Sequence, residues 1–129
     1  ILCELEETGE ETPSCILNTV ATPTGQDKEL ADYLEALTKL IQLGMVGMAF
    51  ERDRSSKLAA GTTAHALTTV GLLASSLRFD GSRRIWIDNR RVGPPFEELF
   101  PYIIDTEAGR RAARKVLTER GYQWWRQRG

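Results

Sequence analysis

A single mixed α+β domain over residues 1–129 is the fold class this sequence predicts, and three observations carry that prediction. Leu30, Leu34, Leu37 and Ile41 recur at helical spacing within 27–43. The period then changes to two at Met45–Arg52, where Val46, Met48 and Phe50 alternate with Gly47, Ala49 and Glu51. At 129 residues, 41% hydrophobic and 27% charged, the chain has ordinary globular composition and the size of one domain able to bury its own core.

The elements follow in order. Ile1, Leu2 and Leu5 lie at helical spacing and stop before Gly9, as at the end of a helix. Thr12-Pro13 sets an N-cap and a first-turn proline for a second short helix, with Ile16, Leu17 and Val20 on one face, and Pro23-Thr24-Gly25 breaks it. Asp27 is the expected cap of the long helix 27–43, and Gly44 stands where a left-handed C-terminal residue belongs. Residues 53–61, polar and small, read as a loop. Ala66, Val70, Leu73 and Leu77 predict a helix over 62–77, against the weak helix propensity of its threonines and Gly71. Phe79-Asp80-Gly81 reads as a turn, and residues 84–88 as a strand with Ile85 and Ile87 on one face and Trp86 on the other. After Pro94 and Pro95, one helical turn at Phe96–Phe100 precedes a strand at Tyr102–Ile104. A last helix, opened at Asp105 or Thr106 and stopped by Gly121, is expected to bury Ala108, Ala112, Ala113, Val116 and Leu117. The whole is then three N-terminal helices, a small antiparallel sheet, a further helix and a C-terminal helix.

Membrane spanning is not expected, because no apolar run approaches the roughly 18–20 residues required. No basic-then-apolar leader opens the chain, so a cytoplasmic location is the expectation. Cys3 and Cys15 form no CxxC pair and have no histidine beside them, which favours buried free thiols, with a disulfide between the first two helices as the alternative.

Charge is unevenly spread. Residues 1–50 hold two lysines against nine carboxylates, a net −7, whereas 51–129 hold fifteen basic against nine acidic residues, a net +6. Such asymmetry points to an anionic partner for the basic part, or to two halves that neutralise each other on folding. The basic residues fall in two groups. Arg83, Arg84, Arg90 and Arg91 bracket Trp86, and guanidinium groups suit phosphate contacts. Arg110, Arg111, Arg114 and Lys115 share one side of the last helix. If they converge, these nine residues are the candidate nucleic-acid surface; if not, they are solvated or paired with the acidic half.

Catalytic chemistry finds little support. His65, the one histidine, sits among Ala64, Ala66 and Leu67 as a helix-side residue at the edge of a core. Ser55-Ser56-Lys57 matches a serine–lysine pair no better than a polar loop. Glu97, Glu98, Asp105 and Glu107 lack metal-ligand spacing, and no phosphate-binding glycine loop is present. Neither an enzyme, a metal site nor a cofactor is therefore predicted.

Two stretches carry a family resemblance: Leu34-Glu35-Ala36-Leu37-Thr38-Lys39-Leu40 leading to Leu43-Gly44-Met45-Val46, and Tyr102-Ile103-Ile104-Asp105-Thr106-Glu107-Ala108-Gly109-Arg110. In this order they resemble the winged-helix DNA-binding domains of bacterial transcription regulators, with the third helix running into the wing and the wing strand returning into a C-terminal helix. About fifty residues separate the two stretches, so the resemblance implies an insertion at about 53–101. It further implies double-stranded DNA as partner and a homodimer, for which Trp124 and Trp125 are the candidate interface. The groove-entering helix would expose Asp27, Lys28, Glu29, Asp32, Glu35 and Lys39, more acid than base, against a duplex carrying a negative charge every ~1.7 Å. A DNA-associated regulator acting through its arginines is one expectation, and a non-enzymatic protein-interaction module of the same fold is the other.

Overall fold

The computed structural model describes residues 1–20, 23–89 and 100–121. Helix α1 (Leu2–Thr8) ends at Gly9, whose φ of 78° a side chain would resist, and the chain passes through the two-residue strand β1 (Glu10–Glu11) into α2 (Pro13–Val20). Helix α3 (Asp27–Gln42) buries Tyr33, Leu37 and Ile41, and Gly44, at φ 71°, turns the chain into β2 (Val46–Arg52). Its N-cap is Gln26, without a side-chain cap bond, and Asp27 is the first helical residue rather than the cap.

The expected loop at 53–61 contains a strand, β3 (Leu58–Ala60), which makes a hairpin with β2 and leads to α4 (Thr63–Ser76). Phe79 and Asp80 also belong to a strand, β4 (Leu77–Asp80), and the turn falls at Gly81–Arg84 before β5 (Ile85–Asp88). The expected helical turn at 96–100 lies almost entirely outside the described residues. Strand β6 (Tyr102–Asp105) and helix α5 (Glu107–Glu119) complete the fold.

The described strands form a four-stranded antiparallel sheet in the order β1-β6-β2-β3 and a separate β4–β5 hairpin. Met48 opposes Ile103 and Gly47 opposes Ile104, while Glu11 opposes Ile103 from the other side. Strands β2 and β6 are therefore neighbours although the whole 53–101 segment lies between them. The described part of that segment is not peripheral. Helix α4 packs along α3 and against β2, placing Ala66, Val70 and Leu73 in one core with Leu5, Ile16, Leu17, Leu37, Met48 and Ile103. Each fully buried aliphatic side chain contributes about 1.5–3 kcal/mol relative to exposure.

Helix α5 packs on α1 rather than on this core, and its buried face is Gly109, Ala113 and Leu117. Ala108 is exposed and Val116 is 37% exposed, because a tight approach at Gly109 sets the helix rotation. A Cβ built there would lie 1.9 Å from the Met45 carbonyl oxygen. Thr106 Oγ1 accepts from Gly109 N (3.1 Å) and donates to Gly44 O (2.7 Å). The Thr-x-x-Gly sequence thus caps α5 and fastens its first turn to the α3–β2 turn.

Among the described residues no helix is long and apolar enough to cross a membrane. Cys3 and Cys15 are free, and Cys15 is exposed rather than buried, being on the outer side of α2.

Candidate interaction surface

The arginines of the β4–β5 turn are exposed, and the turn engages the side chain of Arg83 but only the backbone of Arg84. Arg83 Nε lies 3.7 Å from Asp80 Oδ2, and Arg84, at φ 56°, donates its backbone N–H to Asp80 O (2.8 Å). Trp86 faces the other way. It is 4% exposed, its backbone exchanges two hydrogen bonds with the Asn18 side chain (2.7 and 2.8 Å), and its indole N–H donates to Glu29. Phe79 meets it edge to face. Placement in the core therefore removes Trp86 from any stacking surface, because the hairpin needs its large ring to seal against α2. Arg90 and Arg91 lie outside the described residues.

On α5, Arg110 Nη1 is 3.0 Å from Asp105 Oδ2, Arg111 pairs with Glu107 (3.5 Å) and Arg114 Nε lies 3.4 Å from Glu6 Oε2. Lys115 is exposed. The β4–β5 hairpin packs on α2 and against α4 whereas α5 packs on α1, so separate parts of the fold carry the two basic groups. Trp124 and Trp125 lie outside the described residues.

A third basic group, which the sequence reading passed over as loop, sits at the β2–β3 turn. Asp53 Oδ1 accepts from Ser55 N (2.8 Å), Ser55 Oγ (2.8 Å) and Lys57 N (3.0 Å). The Ser55 hydroxyl first, then the Lys57 N–H, hold this carboxyl below its ordinary value. Arg52 donates to Ser56 O (2.9 Å), lies 4.0 Å from Glu10 and sits over the Tyr102 ring. Arg54 and Lys57 project from this ordered turn and are exposed. The alternation of Arg52, Arg54 and Lys57 with Asp53 and two serines was the available signal.

The features weighed for catalysis have structural occupations. His65 stacks on Phe50 with centroids 3.8 Å apart, and Ser55 belongs to the Asp53 turn. Among the described residues no group of three His, Cys, Asp or Glu side chains is placed to hold a metal ion.

A different surface emerges on α1–α3. A groove of about 480 Å³, open to solvent, runs between α2 and α3. Ile1, Leu17, Val20, Tyr33 and Ala36 make its apolar lining, and Gln26, Lys28, Glu29 and Asp32 its polar edge. Val20 is 43% exposed, whereas Tyr33 is buried and spends its hydroxyl on Pro13 O (2.9 Å). Burial drives the Tyr33 pKa far above the ordinary phenol value. Glu29 accepts from Trp86 and from Thr24 N and Oγ1, and the Trp86 bond first among these holds it below the ordinary carboxylate range.

The charged side chains lining this groove are two carboxylates, Glu29 and Asp32, and one lysine, Lys28. On α3 both lysines are answered by their own helix, Lys28 by Asp32 (3.9 Å) and Lys39 by Glu35 (3.3 Å). Beside α2, burial first, then Glu7 and Glu11, raises the Glu4 pKa. Burial, then the Glu11 carboxylate, pushes the Cys15 thiol up to about 11. Compared with known proteins, the chain matches no family model, no curated protein and no solved structure.

Proposed function

We propose that this chain is a winged-helix-like module that acts by binding another protein and catalyses no reaction. The order α1-β1-α2-α3-β2, with β6 returning between β1 and β2 and running into α5, supports the architectural part of this reading. In that reading β2 and β6 are the wing strands and 53–101 is inserted at their far end.

The observation that carries the functional part is the charge of α3. The helix that such folds lay in the major groove exposes Asp27, Asp32 and Glu35, and its lysines lie beside Asp32 and Glu35. Phosphates repel such a face. Of the basic residues expected to compensate, Arg83, Arg110, Arg111 and Arg114 lie beside Asp80, Asp105, Glu107 and Glu6. Fluorescence anisotropy with random-sequence duplex DNA at low salt tests the reading. No saturable binding is expected, and saturable binding that weakens steeply with salt overturns it.

One observation favours DNA contact as a second reading: Arg54 and Lys57 stand exposed at the tip of an ordered hairpin, and exposed ion pairs such as Arg111–Glu107 exchange readily for phosphate. On that reading Arg54→Ala with Lys57→Ala lowers the salt dependence of duplex binding. The partner on either reading includes a second copy of the chain if Trp124 and Trp125 form a dimer contact. Size-exclusion elution that does not change on Trp124→Ala with Trp125→Ala counts against the dimer.

A further inference from the structure

We infer that the groove between α2 and α3 receives the apolar face of a basic amphipathic helix from a partner protein. The inference rests on the protein-binding reading above and names the surface and the class of partner. A groove of about 480 Å³ falls within the usual size range of ligand sites, yet the polar groups around it do not converge on a small molecule. The Tyr33 hydroxyl is spent on Pro13 O, and the Glu29 carboxylate on Thr24 and Trp86. What the groove offers an occupant is apolar area and charge. Val20 and Ala36 are exposed on its two walls, one on α2 and one on α3, with Leu17 and Tyr33 buried between them. An open trough walled by two helices suits side chains projecting at i, i+3/i+4 and i+7 from one helix.

The charge around the trough selects the flanks of that helix. Asp27, Asp32 and Glu35 are exposed along α3, and on the α1–α2 side Glu7 and Glu11 lie close enough to Glu4 to raise its pKa. Residues 1–50 carry a net −7, so lysines or arginines beside the apolar anchors gain attraction along the α3 wall. An acidic helix is repelled from the same surface.

The test uses the full chain and two fluorescein-labelled synthetic helices with the same leucine spacing, one with lysine and one with glutamate at all other positions. The Leu/Lys helix is expected to bind saturably and the Leu/Glu helix not to bind. Ala36→Arg, which fills the trough and reverses its charge, is expected to weaken Leu/Lys binding by about tenfold or more, an ordinary effect for one central interface residue. Val20→Asp places a charge on the other apolar wall and, with no cation added, is expected to act in the same direction. Glu119→Lys, on α5, is expected to leave affinity within about twofold, as rim charges distant from a contact do. Circular dichroism of each variant establishes that it is folded. Equal binding of both helices, or Leu/Lys binding indifferent to Ala36→Arg and Val20→Asp, overturns the inference. So does a doubling of mass by light scattering that Ala36→Arg abolishes, because the occupant is then a second copy. Loss of the helix result with no duplex binding ends the groove inference alone, whereas saturable duplex binding ends the protein-binding reading on which it rests.

Discussion

The Glu6 carboxylate, 1% exposed on α1, lies 3.4 Å from Nε of Arg114 on α5 and ties together two helices from opposite ends of the chain. Removing Arg114 takes an ion-pair partner from a carboxylate at low dielectric, and breaking such a pair costs about 3–5 kcal/mol when both members are buried. The Arg114 side chain is 45% exposed, so solvent screens part of this. Arg114→Ala is expected to destabilise the domain by about 1–3 kcal/mol in urea unfolding. Adding Glu6→Leu is expected to recover part of it. Additive losses in the double variant would mean that the two groups are not coupled.

Two glycines should respond in opposite directions to the same substitution. Gly109→Ala forces a methyl against the Met45 carbonyl oxygen and should cost about 2–3 kcal/mol. Gly71, in the middle of α4, has open space around its Cβ position, and Gly71→Ala should stabilise by about 0.5–1 kcal/mol. A thermal melt of Gly109→Ala at or above that of the parent would contradict the close approach of α5 to the α3–β2 turn, and a lowered melt of Gly71→Ala would contradict the open space on α4.

Glu29 makes the β4–β5 hairpin sensitive to acid. Its folded pKa is lowered, chiefly by the Trp86 N–H, so its contribution to stability is full above the ordinary carboxylate value and is lost as pH falls through the folded one. Trp86→Phe removes that donor and should flatten the acid limb of a stability-versus-pH curve. Asn18→Ala deletes the two bonds to the Trp86 backbone without touching Glu29. It should lower stability by about 1–3 kcal/mol with the acid limb unchanged.

Cys15 is exposed yet should react slowly. Burial of the sulfur region, then the Glu11 carboxylate, raises its pKa to about 11, so little thiolate exists at pH 8. Iodoacetamide alkylation should accelerate as pH rises toward 11, and Glu11→Gln should move that rise downward. Because the folded pKa is raised, this thiol's contribution is present below the unfolded value near 9 and lost as pH climbs from there toward 11. An alkylation rate that levels off below pH 9 would contradict it.

Helices α3, α4 and α5 were legible because each has several turns of apolar period and a chemical stop or start, Gly44, Thr62 and Thr106 among them. Strand β1 was not, since Glu10 and Glu11 have no strand pattern and extend because Ile103 and Ile104 pair with them. Strand β3, three residues of Leu and Ala, is equally short of signal. For the candidate surface, the acidic character of α3 could be read directly. Which face of β5 turns inward could not, because Ile85-Trp86-Ile87 is apolar on both sides and only Asn18 and Glu29, distant in sequence, decide it. The charge split of the sequence offers the arginines partners only in the acidic first half; Arg114–Glu6 is such a pair and needs α5 packed on α1, whereas Arg83–Asp80 and Arg111–Glu107 are local pairs that this expectation passes over.

A segment that leaves through β2 and comes back through the adjacent β6 has its two ends side by side, the geometry in which excision with a short linker is topologically simple. Here it would be chemically ruinous. Val70 and Leu73 would go with the excised piece, and the flank of α3 they shield would meet water as an oily strip. A version of this domain lacking 53–101 would therefore need new polar side chains on α3 before it could stay dispersed.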